Sequence, residues 1–432
     1  MNILFLTQIL PYPPDAGPRV KTWHVLQYLA GQGHQVTLLS FVRPEEEQYV
    51  GVLREICHAV YTVPIRRSRV ADLYYWLRSN WTGRPFLIER DDLVAMRDQV
   101  KQIVESNDID VIHADQLGMA QYAFPYRGQG NGAKRAPVVI FDAHNAVWKI
   151  VERMQENAPW FLQFPASLEA KRIKAYEGQV VRTFDHTLAV TDPDRQALAE
   201  AVAAYERAGV SNGVERELPI TIVPIAVDTQ KLQPIEREAG SKNILTLGTL
   251  HYLPNADGIR WFVQEVFPLI IESEPEANLT IIGKNPPADF LRMAEQFPQQ
   301  INVTGYVPDL DPYMQKAALM VVAVRAGGGM RVRILEAFAR GMPVVTTTVG
   351  LEGIDGRPGE DVLVADTPEA FSRQVLQLLE NLDLQASLAE NGRRLAEQKY
   401  DWHVILQKMD QVYNGFGTLE KSSEQGGGKK NG

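Results

Sequence analysis

Three consecutive glycines set between arginines carry the clearest chemical suggestion in this sequence. In the stretch 321–351, VVAVRAGGGMRVRILEAFARGMPVVTTTVGL, Gly327, Gly328 and Gly329 follow a short apolar run. They precede a segment with Ile334, Leu335 and Phe338 at helical spacing, closed by Gly341 and Pro343. Glycines ahead of a helix let backbone N–H groups approach an anion, and the helix N-terminus adds partial positive charge. Arg331 and Arg333 fall in that first turn, where Asp or Glu is the favoured choice, so their charge opposes the helix dipole and points to a bound anion. Arg325 stands just before the loop as a third cation. Glu336, one turn further on, could accept hydrogen bonds from two sugar hydroxyls, so phosphate and ribose are the ligand pair this constellation suits. A glycine-tightened strand-to-helix connection of any α/β domain would read the same way locally.

A second candidate is His144, which follows the apolar run Val138–Ala143 in VVIFDAHNAVW. That places it at the C-terminal end of a predicted strand, where open α/β sheets hold their ligands, although a lone histidine is commonly structural. Asn145 and Trp148 suit loop capping and packing. Near the N-terminus the run Asn2–Thr7 leads into a turn-rich loop ending at Gly17, whose missing side chain would allow a ligand close to the backbone. His34 reads as a structural turn residue.

These residues must be positioned by an alternation of strands and helices. Strands are expected at Asn2–Thr7, Gln35–Ser40, Asp110–Ala114, Val138–Ala143 and Ile220–Val223, with a second series opening at Asn243. Helices are expected over Val20–Leu29, Ser167–Arg182, Ala256–Phe267 (stopped by Pro268), Arg331–Arg340 and Pro368–Leu395. Thr191 can cap a helix, with Asp194 three residues on. The fold class is therefore α/β, and the polar stretch Gln230–Gly240 with Pro234 reads as the linker between two domains.

Composition limits the partners. The chain has 432 residues, 45% hydrophobic and 22% charged, with a net charge of −9, which argues against a nucleic-acid binder. Cys57 is the sole cysteine, so neither an intrachain disulfide nor a multi-thiolate metal site can form. The N-terminus has no basic region before its apolar run, and a cytoplasmic location is expected. Between 66 and 93, arginines mix with Leu73, Tyr74, Tyr75, Trp76, Leu77 and Trp81. That segment could pack as an ordinary helix, line an acceptor site, or touch the inner face of a membrane through 66–81.

The glycine stretch resembles the donor site of the retaining nucleotide-sugar glycosyltransferases of family 4, with a pattern of roughly G-x-G-T-R-x-K-x-x-E-A followed by A-x-G-x-P-V-V. Gly327, Gly329, Arg331, Glu336, Ala337, Ala339, Gly341, Pro343, Val344 and Val345 match. Leu29, Gly33, His34 and Val36 match the family's L-x-x-x-G-H-x-V. Three departures stand out: Gly328 replaces the first of two glutamates, Met330 and Arg333 replace Thr and Lys, and TLHYLPNADG from Thr249 replaces an Arg and Lys that hold the diphosphate.

The resemblance implies a GT-B fold, two Rossmann-like domains facing a cleft. The acceptor side would span 1–238 and the donor domain 239–396, with a helix over 397–416 crossing back to the first domain and a disordered tail over 417–432. It implies sugar transfer from a UDP- or GDP-sugar to a glycan, lipid-linked or small-molecule acceptor with retention, and a place in polysaccharide biosynthesis. His144 and Glu336 would serve catalysis. Gly17, Arg325, Gly327, Gly328, Gly329, Arg331, Arg333 and Glu336 would bind the donor. Asp-x-Asp spacing, which can hold a metal with a diphosphate, occurs at Asp108/Asp110, Asp192/Asp194 and Asp309/Asp311; helix capping accounts for the last two, and no metal or other cofactor is expected. A sugar-nucleotide epimerase of the same architecture and a non-catalytic nucleotide- or glycan-binding module are the alternatives.

Overall fold

The computed structural model describes residues 1–128, 136–156, 160–210 and 217–425. Two compact units divide the chain: Met1–Ile225 together with the chain from Ile405 onward, and Ala226–Val404.

The first unit is built on a seven-stranded parallel sheet. Its strands are β1 (Asn2–Thr7), β2 (Gln35–Val42), β3 (Ala59–Pro64), β4 (Val111–Asp115), β5 (Val138–Ala143), β6 (His186–Ala189) and β7 (Ile220–Ile222), in the order β3-β2-β1-β4-β5-β6-β7. Ile3, Leu4, Phe5 and Leu6 are wholly buried, as expected of a central strand covered by helices on both faces. Consecutive strands run outward from β1 to β3, then restart at β4 on the other side of β1. This reversal sets Thr7 of β1, Asp115 of β4 and Asp142 of β5 side by side at the strand ends. The C-terminal helix Gln407–Gln425 belongs to this unit.

The second unit carries a six-stranded parallel sheet of β8 (Asn243–Leu247), β9 (Asn278–Ile282), β10 (Ile301–Gly305), β11 (Ala317–Val322), β12 (Val344–Thr346) and β13 (Leu363–Val364), ordered β10-β9-β8-β11-β12-β13. Its reversal lies between β8 and β11. Phe262, Phe267, Phe290 and Phe371 fill the core against Ile244, Leu279, Ile281 and Val321. The glycine loop thus leaves the C-terminal end of β11, beside the reversal, where open α/β sheets hold ligands.

Three expectations are corrected. Pro268 does not stop its helix: Leu253–Trp261 passes through a wider turn at Phe262–Val266 into Phe267–Ser273. Proline is tolerated there because it lies in a first turn, where no intrahelical N–H bond is needed. The stretch read as a linker packs on the second unit: Ile235 N donates to Arg340 O at 3.0 Å, Glu238 N to Gln315 O at 2.8 Å, and Arg237 Nη1 to Ala318 O at 2.8 Å. Val227 pairs with Asp401, so that unit begins at 226 rather than 239. The last helix spans Gln407–Gln425, and 426–432, the end of the expected tail, lie outside the described residues.

Candidate functional site

In the second unit the glycine loop delivers two arginines to the ends of β8 and β11. Gly327 and Gly329 adopt φ of +102° and +85°, which side-chain-bearing residues rarely adopt. A Cβ at Gly327 would also lie 3.4 Å from the Pro254 ring. Arg331 is buried at the N-cap of the helix Val332–Ala339, and its Nη1 donates to Gly328 O and Gly329 O, both at 2.6 Å. The Arg333 guanidinium reaches across to the end of β8, donating to Leu247 O and Asn255 Oδ1. Asn255 is itself tied to Thr249 O at 3.3 Å. Burial, and then the charge of Arg331, bring the Arg333 pKa down to about 10. Burial raises the Glu336 carboxyl, with Arg340 and Arg333 opposing the shift. Glu336 is half-buried, and no hydrogen bond to its carboxylate is found among the described residues. Two neighbouring guanidinium groups beside a glycine-rich helix start favour an anion, and the adjacent carboxylate can accept hydroxyl donors.

In the first unit a polar network fills the strand ends at the reversal. His144 follows β5, and its Nε2 lies 2.7 Å from Asp115 Oδ1. Asp115 Oδ2 accepts from Thr7 Oγ1 at 2.8 Å and Thr22 Oγ1 at 3.0 Å. A carboxylate can only accept, so His144 Nε2 donates; its buried Nδ1, which has no hydrogen-bond partner among the described residues, is then an acceptor when the ring is neutral. Asp142 is wholly buried and ion-paired with Lys21, which is 2% exposed. His113 Nε2 lies 3.4 Å from Asp142 Oδ2, while its Nδ1 meets Tyr413 OH at 2.7 Å. Burial would raise the Asp142 pKa, but Lys21, then His113 and His144, hold it well below the ordinary carboxylate range.

The loop bearing His144 is pinned as well. Val147 N and Trp148 N each donate to the buried Glu177 at 2.8 Å, and Ala146 N to Asp194 Oδ1 at 3.0 Å. Burial pushes the Glu177 carboxyl up to about 8 despite the two N–H donors. Among the described residues, His113, Asp115 and Asp142 bring potential metal-ligating atoms within 4.8 Å of one another. Lys21, His144, Thr7 and Thr22 already engage both carboxylates, so internal hydrogen bonds and charge account for the cluster.

Residues 17–218 match the family described as Glycosyltransferase Family 4, and 241–381 the one described as Glycosyl transferases group 1. The chain carries a family 4 glycosyltransferase domain followed by a group 1 glycosyltransferase domain. It is 21% identical over 422 residues to an uncharacterized 44.6 kDa protein in the cps region of Klebsiella pneumoniae, an alignment covering 93% of this chain and 96% of the relative. Its fold is similar to that of sucrose-phosphate synthase from Thermosynechococcus elongatus, with a TM-score of 0.66 at 16% identity over 97% of this chain and 99% of that one. It is also similar to Anabaena HepE, solved with UDP and glucose, with a TM-score of 0.63 at 14% identity over 96% and 100% of the two chains. The two parallel-sheet units make this glycosyltransferase a GT-B protein.

Of the residues selected from the sequence, Gly327, Gly328, Gly329, Arg331, Arg333 and Glu336 come together in the glycosyltransferase's second unit. Arg325 forms a two-pronged pair with Asp257 at 3.0–3.2 Å and lies over the Trp261 ring, half-exposed. Gly17 opens the helix Gly17–Gly31 after β1, and His144 ends β5. His34 Nδ1 lies 3.4 Å from the N-terminal amine and stacks near Tyr413, a structural setting. Sequence reading missed Lys21, Asp115, Asp142 and Asn255. The two aspartates end predicted strands, which was a usable signal; Lys21 and Asn255 carry none, because only the tertiary fold gives them their partners.

Proposed function

We propose that this glycosyltransferase moves a sugar from a UDP- or GDP-sugar to a glycan or lipid-linked acceptor with retention of configuration. The observation that carries the reading is the meeting of Arg331, Arg333, the glycine-loop backbone and the Glu336 carboxylate, which has no hydrogen-bond partner among the described residues, at the sheet reversal of the second unit. Arg331 and Arg333 stabilise the diphosphate and the charge that grows on it as the glycosidic bond breaks. Glu336 accepts the ribose hydroxyls. His144, with Nδ1 held as an acceptor by Asp115, positions the sugar by taking a hydrogen bond from one hydroxyl. The departing phosphate meets the positive charge developing at the anomeric carbon on the face the acceptor enters. Crystals of HepE with UDP and glucose support a nucleotide-sugar donor by likeness of fold.

The test is a panel of nucleotide sugars, followed for nucleoside diphosphate release with and without glycan and lipid-linked acceptors. Acceptor-dependent release with the product's anomeric configuration unchanged by NMR is the expected result. Free or epimerised sugar formed without an acceptor supports an epimerase, and binding without turnover supports a binding module. UDP or GDP should raise the melting temperature without magnesium or manganese; a shift only with metal overturns the metal-free reading.

A further inference from the structure

The helix Arg69–Thr82 turns its apolar stripe away from the unit that carries it. Val70, Leu73, Tyr74, Leu77 and Trp81 are spaced to share one helical face, and they are 81, 59, 59, 57 and 92% exposed. The opposite side holds the buried Ser79, whose Oγ donates to Arg84 O at 2.6 Å, and the half-buried Asp72 and Tyr75. A helix that merely covers its own core shows the reverse arrangement. Single exposed apolar residues are ordinary, but a contiguous stripe ending in an almost fully exposed tryptophan marks an interaction surface.

Charge indicates what that surface meets. Residues 66–92 contain six arginines and four carboxylates, net positive in a chain of net charge −9. Two of the carboxylates point inward: Glu89 is wholly buried against Arg78 at 2.8 Å and Arg84 at 3.3 Å, and Asp91 is wholly buried against Arg67. Arg66 and Arg69 are exposed and have no ion-pair partner among the described residues. At the N-terminal end of the helix, Arg66, Arg67, Ser68, Tyr75 and Arg90, with one carboxylate, Asp72, line a cavity of about 330 Å³. No helix among the described residues is long and apolar enough to cross a membrane, so any bilayer contact through this helix lies in the interface plane.

We propose that this face docks on an anionic membrane surface, with the stripe at the boundary between headgroups and acyl chains and Arg66, Arg69 and the cavity against lipid phosphates. Tryptophan and tyrosine suit that boundary because each has an apolar body and a polar edge. A second copy of the chain fits less well, since a two-fold contact through this face would bring its arginines together. The negative charge of the whole chain orients the docking, because the rest of the molecule is repelled by the lipid.

The test is co-sedimentation of the full chain with vesicles of phosphatidylcholine alone and of phosphatidylcholine mixed with phosphatidylglycerol. Binding to the mixed vesicles, weakened by salt, is expected. The double substitution Leu73→Glu and Leu77→Glu, at exposed positions, should reduce it about ten-fold or more with an unchanged melting temperature. Arg66→Gln with Arg69→Gln should lower binding to the anionic vesicles only. Absence of vesicle binding at low salt overturns the proposal, as does binding that survives the double glutamate variant. A dimer lost in that variant, with no vesicle binding, assigns the face to a second copy and overturns it equally.

Discussion

Glu336 is the position where stability and ligand affinity should move in opposite directions. Its carboxyl has no hydrogen-bond partner among the described residues, and burial raises its pKa against the opposing pull of Arg340 and Arg333. An acid whose folded pKa lies above its unfolded value of about 4.3 opposes folding once ionised. The penalty is absent below the unfolded value, grows as pH rises from there to the folded one, and is fully present above it. Glu336→Gln removes the charge, so the nucleotide-free protein should gain roughly 0.5–1 kcal/mol. The same change deprives a ribose of two charge-assisted hydrogen bonds at about 1–3 kcal/mol, which is roughly five- to 150-fold in Kd. Titration calorimetry with UDP and GDP, and thermal unfolding with and without nucleotide, read the two effects separately. A wild-type protein at 100 times its Kd is stabilised by about 2.7 kcal/mol, and a ten-fold weaker variant by about half of that. A folded variant with unchanged nucleotide affinity would refute the ribose assignment and leave Glu336 as a half-buried helix glutamate.

Three further outcomes follow from the geometry. His144→Ala should lower turnover about ten-fold or more, about 1.4 kcal/mol in barrier, while affinity for free nucleoside diphosphate stays the same; equal losses of both would remove His144 from the sugar site. Lys21→Met leaves Asp142 buried with its main counter-charge gone and should cost about 3–5 kcal/mol in chemical denaturation. Because the folded pKa of Asp142 is depressed, the stability it contributes is present above the unfolded value of about 3.9 and is lost as pH falls below it, so the gap between wild type and Lys21→Met should narrow in acid. Asn255→Ala takes one acceptor from Arg333 and should weaken nucleotide binding by about 1 kcal/mol with little change in melting temperature, measured by the same titration.

How much could be read beforehand depended on whether the information was local. Strand runs such as Ile3–Leu6 and the helix over 332–339 announce themselves by period and by their glycine boundaries, and Thr191 takes the capping bond from Asp194 N at 3.1 Å that its spacing suggested. β3 went unread because Ala59–Pro64 is an edge strand with little buried surface, and Pro268 misled because its effect depends on where the helical turn begins. The buried ion pair joins residues 121 positions apart, Lys21 to Asp142, and no local pattern encodes such a partnership. Arg325 was chosen for its nearness to the loop in sequence, yet the end of β11 turns it toward Asp257.

The departures from the family pattern around the second unit's reversal compensate one another electrostatically. Loss of the Arg and Lys after β8 removes positive charge, and Gly328 in place of a glutamate removes negative charge. The structure shows which contacts stand in their place. Arg331, without a carboxylate at 328, is held by the carbonyls of Gly328 and Gly329 themselves. The neutral turn that replaces the basic pair supplies Asn255 to orient Arg333 and Pro254 to pack against Gly327. More cations here would deepen the repulsion that already helps bring Arg333 down to about 10. On the proposed reading, two arginines fixed before a ligand arrives spare an incoming diphosphate the immobilisation of a flexible basic pair, and less conformational entropy is lost on binding. The salt dependence of nucleotide affinity should accordingly rest on Arg331 and Arg333 alone, so that replacing both by Gln leaves a binding constant nearly flat in ionic strength.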